Sequence, residues 1–129
     1  MNKKMKTKNG ITYFLSSLII GLLLLRILLF IFPTANLVIG SYSIHHIFTG
    51  SVLLIITTIL LILNITNYFT YILGGISTAL IIDQLTFLIM TDGTNKTYFS
   101  QTSVYGAFIL TFIIILIVIG LYLIKENKK

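Results

Sequence analysis

The stretch Val104–Ile124, VYGAFILTFIIILIVIGLYLI, decides the fold, because it carries no charged residue and has the length of a membrane-crossing helix. A helix needs about 20 apolar residues to cross the hydrocarbon core of a bilayer. The runs Ile11–Phe32, Ile44–Leu63 and Tyr68–Met90 have similar lengths and are separated by polar breaks. In lipid, backbone groups must be hydrogen-bonded within their own segment, so each run predicts a helix. The sequence therefore predicts an all-α fold, an integral membrane four-helix bundle.

The overall composition agrees with this class of protein. Hydrophobic residues make up 57% of the 129 residues and charged residues only 9%, whereas a soluble domain has roughly a quarter of its residues charged. The excess apolar surface must face lipid, and the size indicates a single membrane domain, residues 1–129. The chain has no cysteine, which excludes disulfides and thiolate metal sites.

The basic residues predict the orientation. Seven lysines lie at the two ends of the sequence, namely Lys3, Lys4, Lys6, Lys8, Lys125, Lys128 and Lys129. Because basic residues concentrate on the cytoplasmic side, a multi-pass protein of the cell membrane with both termini cytoplasmic is expected. The net charge of +6 then indicates the lipid bilayer as partner, and no nucleic acid, since no basic surface interleaved with aromatic residues lies outside the apolar runs.

The first outer connection has the pattern of a short β-hairpin. Asn36–Ile39 and Tyr42–Ile44 flank the pair Gly40-Ser41, and Gly at the first central position suits a type II′ turn. Pro33 ends the first helix before this segment.

A few ionisable residues interrupt the apolar runs, and such residues are costly in lipid and therefore informative. They are Arg26, His45, His46 and Asp83, with the amide of Gln84 beside them. At 1.5 Å per residue, Arg26 and Asp83 lie about 6–7 Å outside the midpoints of their runs, and the histidines about 12 Å outside theirs. These residues come from three helices and share the outer half of the membrane. The sequence therefore predicts a polar site near the outer face.

Arg26 and Asp83 allow three interpretations. Gly75, Ala79 and Asp83 recur at intervals of four, and a stripe of small residues permits close helix contact, so Asp83 is expected to face the bundle. Arg26 then forms a structural ion pair with Asp83, reaches the outer headgroups by its long side chain, or binds an anionic group of a substrate.

The two histidines allow two interpretations. Either both imidazoles hydrogen-bond at the membrane interface, or His45, His46 and Asp83 bind a divalent metal such as zinc. Adjacent residues of a helix point about 100° apart, so both rings reach one ion only if His45 lies at the start of the helix.

These residues resemble the motifs of a group of small prokaryotic four-span integral membrane proteins. That group has a His-His-x-x-x-Gly motif and a Gly-rich helix that ends in Asp-Glu. The matching positions are Arg26, Pro33, His45, His46, Gly50, Gly74, Gly75 and Asp83. The sequence departs from the pattern at Gln84, where the group has Glu, which argues against a mechanism that needs two adjacent carboxylates. The resemblance implies a site and no particular reaction.

The resulting functional expectation is a polytopic membrane protein with a polar site near its outer face. One sharper hypothesis is a metal-dependent membrane enzyme that acts on a lipid-like substrate. The other is a non-enzymatic partner subunit or small oligomeric carrier, which works as a homo-oligomer or with another membrane protein and in which the Arg26–Asp83 pair is architectural.

Overall fold

The computed structural model describes residues 7–32, 37–39, 42–44, 46–92 and 97–128. Within these ranges the fold is all-α, with four helices and one pair of three-residue strands. In chain order the elements are α1 (Thr7–Ile31), β1 (Leu37–Ile39), β2 (Tyr42–Ile44), α2 (His46–Ile62), α3 (Tyr68–Met90) and α4 (Gln101–Glu126).

Helix α3 is the centre of the molecule, because α1, α2 and α4 all pack against it. Half of its apolar stretch is buried, against 17% of that of α1 and 11% of that of α4. The main apolar core lies between α1, α3 and α4 and contains Leu18, Leu22, Ala79, Ile82 and Ala107. The helix that carries Asp83 is therefore the one most enclosed by protein.

The surroundings of two glycines show how closely α1 and α2 approach α3. A Cβ atom added at Gly75 of α3 would lie 2.9 Å from the backbone nitrogen of Leu18 in α1. A Cβ at Gly50 of α2 would lie 3.0 Å from the carbonyl oxygen of Ser77 in α3. Distances this short leave no room for a side chain, so glycine at these two positions permits backbone-to-backbone packing of the kind found between membrane helices.

The contacts also fix the helix directions. Gly10 faces Tyr71 and Gly21 faces Ala79, so α1 and α3 run parallel. The remaining contacts pair early residues of α2 and α4 with late residues of α3: Gly50 with Leu80, Thr57 with Gly74, and Gly106 with Thr86. Helices α2 and α4 are therefore antiparallel to α3, and α1 begins at the end of the molecule where α4 ends.

Helix α2 differs from its predicted span. The sequence predicts a span over residues 44–63, but Ile44 belongs to β2 and the helix has 17 residues, His46–Ile62. At 1.5 Å per residue it is about 25 Å long, less than the roughly 30 Å of a hydrocarbon core. Among the described helices, three are long and apolar enough to cross a membrane, namely α1, α3 and α4. The expected count of four such helices is corrected to three, because Ile44 at the start of the second apolar run belongs to β2 and the described helix ends at Ile62.

A well-defined turn joins α2 to α3. Asn64 adopts a left-handed conformation with φ of 59°, the amide of Ile65 donates to the carbonyl of Leu60 at 2.9 Å, and the amide of Asn64 donates to that of Leu61 at 3.0 Å. This is the Schellman pattern that ends helices, with asparagine in the position that usually holds glycine. Asn67 then caps α3 by accepting from the amide of Thr70 at 3.0 Å.

The two strands pair antiparallel in the first connection. Leu37 lies opposite Ile44, Val38 opposite Ser43 and Ile39 opposite Tyr42. Pro33, Gly40 and Ser41, on which the predicted helix end and turn depend, lie outside the described residues.

Large apolar side chains cover the outside of the helices. Phe30, Ile62 and Ile89 expose 75%, 72% and 72% of their surfaces. They belong to α1, to α2 and to α3, so the exposed apolar side chains are shared by several helices rather than confined to one. Exposing an apolar surface of this extent to water is unfavourable, whereas exposing it to the hydrocarbon of a bilayer is not.

Candidate functional site

Arg26 and Asp83 form an ion pair between α1 and α3. The Nε of Arg26 donates a hydrogen bond to Oδ1 of Asp83. The Asp83 side chain is fully buried, and the Arg26 side chain is 12% exposed. The ion pair alone explains these contacts. Neither a substrate-binding arginine nor an arginine that reaches the headgroups is needed.

The rest of the Arg26 guanidinium binds the start of α4 and the residues before it. Nη1 donates to the carbonyl oxygen of Tyr98 at 3.2 Å. Nη2 donates to the carbonyl oxygen and to the hydroxyl of Ser103 at 3.4 and 3.2 Å. The guanidinium carbon also lies 4.7 Å from the centre of the Tyr98 ring, within the range of a cation–π contact. Each nitrogen of the guanidinium thus has a partner inside the protein.

Asp83 has a second partner in Tyr98, whose phenolic hydroxyl donates to Oδ2 of the carboxylate. Both carboxylate oxygens are therefore occupied by donors from the protein. The arginine and the hydroxyl offset the free-energy cost of burying this charged carboxylate. Arg26, Asp83, Tyr98 and Ser103 together are called the polar lock below.

The Tyr98 ring is fixed by aromatic neighbours. It packs edge-on against Phe87 and Phe99, with centroids 5.1 and 5.0 Å away, and is 9% exposed. Burial raises the pKa of the Tyr98 phenol above its usual range, and the negative charge of Asp83 raises it further. The phenol therefore keeps its proton at physiological pH and remains a donor to Asp83.

Local features of the sequence place each member of the polar lock. Gly75 and Ala79 bring α1 close to the face of α3 that bears Asp83, and a Cβ at Gly21 would lie 3.3 Å from that of Ala79. Ser100 caps α4 by accepting from the amide of Ser103 at 3.3 Å. This cap starts α4 so that the carbonyl and hydroxyl of Ser103 reach Arg26.

His46 belongs to a different helix from either member of the Arg26–Asp83 pair. His46 is the first residue of α2, and His45 lies outside the described residues. Gly50, one turn after His46, faces Ser77 and Leu80 of α3, so His46 lies on the α3 side of α2. Gln84 is 3% exposed and follows Asp83 by about 100° around α3.

No group of three His, Asp or Glu residues that could hold a metal ion occurs within the described ranges. The set His45, His46 and Asp83 stays a prediction, because one member is not described. Asp83 would enter such a set with both oxygens already bonded to Arg26 and Tyr98.

Tyr98 and Ser103 are the members of the site that the sequence patterns above do not predict. Tyr98 lies between two apolar runs, where no periodic pattern indicates which way its side chain points. The available signal was the pair Tyr98-Phe99 directly before the capping serine Ser100, since an aromatic pair in a short polar connection tends to fold back onto apolar surface.

Comparisons with protein-family models, curated proteins and solved structures found no match to this chain, so the resemblance to the His-His-x-x-x-Gly membrane proteins stays a prediction.

Proposed function

We propose that this chain is a multi-pass protein of the cell membrane with four helices in the bilayer, which serves as a non-enzymatic partner subunit. The polar lock is the observation that carries the second part of the proposal. The guanidinium of Arg26 donates to the Asp83 carboxylate, to the Tyr98 carbonyl and to Ser103. The carboxylate also accepts from the Tyr98 hydroxyl. A catalytic or substrate-binding charge needs a free side towards its ligand, whereas these charges are used to join α1, α3 and α4.

The length of α2 is compatible with four membrane helices. Its 17 residues are shorter than a typical span, but bilayers adapt to a few ångströms of mismatch at modest cost. Helix α2 is antiparallel to α3 and follows it across the molecule from Thr57 at Gly74 to Gly50 at Leu80. The up-and-down order of the helices puts Lys8 near the start of α1 and Lys125 near the end of α4 at the same end of the molecule, and the positive-inside rule supports assigning that end to the cytoplasm.

A polar lock of this kind suits a small subunit. In lipid no hydrophobic force drives helices together, so packing and interhelical hydrogen bonds must hold the fold. The lock supplies those bonds in the outer half of the molecule, and the glycines at 50 and 75 supply close packing. The chain can then present a stable outer surface to a second copy or to another membrane protein.

Purified protein distinguishes this proposal from a metal-dependent enzyme. The full chain is extracted from its native membrane with a polymer that retains lipid, and its mass and metal content are measured together. The proposal expects a complex larger than one chain, with no stoichiometric zinc and the same metal content in His46→Ala. A monomer with one zinc per chain that is lost in His46→Ala would overturn it.

A further inference from the structure

A cavity of about 300 Å³ lies at the end of the molecule opposite the polar lock. All four helices line it, with Ile11 and Phe14 from α1, Leu61 from α2, Thr70 and Gly74 from α3, and Val118 from α4. These residues lie near the start of α1 and α3 and near the end of α2. The cavity therefore belongs to the end of the molecule where α1 begins and α4 ends. It is called the terminal cavity below.

The walls of the terminal cavity are apolar even where threonines line it. Thr57, Thr58 and Thr70 each donate their hydroxyl to a backbone carbonyl at 2.8 Å. Their hydroxyls are satisfied in this way, so none of the three needs a polar ligand. The cavity fits a hydrocarbon chain.

Two lysines lie just beyond the terminal cavity on the helix faces that line it. Lys8 precedes Ile11 by three residues, and Lys125 follows Val118 by seven. Positions three and seven apart share a face of a helix. At 1.5 Å per residue, Lys8 lies about 5 Å and Lys125 about 10 Å beyond those lining residues. Both lysines are exposed, and the flexible stem of a lysine lets its ammonium group reach a headgroup.

The charge balance of this end favours an anionic occupant. The sequence places seven of its nine basic residues at its two ends, against one acidic residue, Glu126. From the cavity and these charges we propose that the terminal cavity binds an acyl chain of an anionic phospholipid, whose phosphate is held by Lys8 and Lys125. The proposal rests on the membrane location proposed above.

The absence of tryptophan from the sequence allows a direct test. Leu61→Trp puts one fluorophore at the edge of the terminal cavity, and Ile62→Trp puts one on the neighbouring residue, which is 72% exposed and does not line the cavity. The full chain is reconstituted in vesicles that contain equal amounts of phosphatidylglycerol and phosphatidylcholine, with bromine on the acyl chains of one lipid or the other. Contact with a brominated chain quenches the fluorophore.

Brominated phosphatidylglycerol should bind at Leu61→Trp about thirtyfold more strongly than brominated phosphatidylcholine, the ratio expected from two lysines near an anionic headgroup. The ratio at Ile62→Trp should be clearly smaller. Lys8→Gln combined with Lys125→Gln should lower the ratio at position 61 to that at position 62.

Equal ratios at the two reporter positions, or a ratio that survives loss of both lysines, would overturn the proposal. Should Leu61→Trp not fold, Thr58→Trp, which also lines the cavity, replaces it with the same expectations. Quenching of Ile62→Trp by both lipids shows that the chain is inserted, whatever the result at position 61. No quenching by either lipid at any position would instead contradict the membrane location itself.

Discussion

Arg26 and Asp83 are 57 positions apart in the chain and form an ion pair between two parallel helices. The pair is closed on its α4 side by Tyr98 and Ser103. One carboxylate and one guanidinium thus connect α1, α3, the segment before α4, and α4 itself.

Tyr98→Phe tests the hydroxyl of the polar lock separately from its ring. The phenylalanine keeps the packing against Phe87 and Phe99 and removes the donor to Asp83. Leaving a buried charged acceptor short of a partner costs about 1–3 kcal/mol. Thermal unfolding of purified protein in detergent should show a lower midpoint. The matched control Tyr105→Phe, at a position 61% exposed, should unfold like the wild type, and equal stability of the two variants would contradict the role of the hydroxyl.

Tyr98 should also make stability depend on alkaline pH. Its pKa is raised in the folded protein by burial and by Asp83. A raised folded pKa contributes stability that is complete below the unfolded value of about 10 and is lost as pH rises towards the folded value. Unfolding followed by circular dichroism should therefore show a steeper loss above pH 10 in the wild type than in Tyr98→Phe. Identical slopes for the two proteins would exclude Tyr98 as the source.

Gly75→Ala tests the close approach of α1 and α3. An added Cβ would lie 2.9 Å from the backbone nitrogen of Leu18, so α1 must move away from α3, at a cost of about 1–3 kcal/mol. Gly120→Ala is the matched control, because nothing lies within 4 Å of its added Cβ. The unfolding midpoint should fall only in Gly75→Ala. Similar midpoints for both variants would mean that the helices are not in contact there.

The membrane topology is testable by labelling, because the sequence has no cysteine. Asp92→Cys, between α3 and α4, and Asn127→Cys, after α4, are treated in intact cells with a maleimide that does not cross membranes. Four membrane helices with cytoplasmic termini predict labelling at position 92 in intact cells, and at position 127 only after permeabilisation. Labelling of both in intact cells would mean that α4 does not cross the membrane, and labelling at position 127 but not at position 92 would contradict cytoplasmic termini.

The sequence predicts the helices, and gives the ion pair as one of three interpretations, because both depend on regular spacing. Gly75, Ala79 and Asp83 recur at intervals of four, which places Asp83 on the packed face of α3, in agreement with its complete burial. Arg26 is the basic residue within the first apolar run, so few partners for Asp83 exist in lipid.

Other features depend on contacts that spacing does not encode. Tyr98 reaches Asp83 from a connection without periodicity, and its place follows from the cap at Ser100 and from packing on Phe87. The start of α2 at His46 follows from the strand pairing of Ile44 with Leu37. The sequence does not predict this boundary, because over a few residues an apolar run is equally compatible with helix and strand. The metal hypothesis depends on the direction of the His45 ring, which sequence alone does not give.

The stability of four proteins, wild type, Arg26→Gln, Asp83→Asn and the double variant, tests the central claim most directly. If the polar lock holds the fold, each single variant leaves a buried charge without its partner and loses about 3–5 kcal/mol of unfolding free energy. The loss in the double variant should then fall short of the sum of the single losses by about 1–3 kcal/mol. Single variants as stable as the wild type, or losses that simply add, would contradict the architectural role of the Arg26–Asp83 pair.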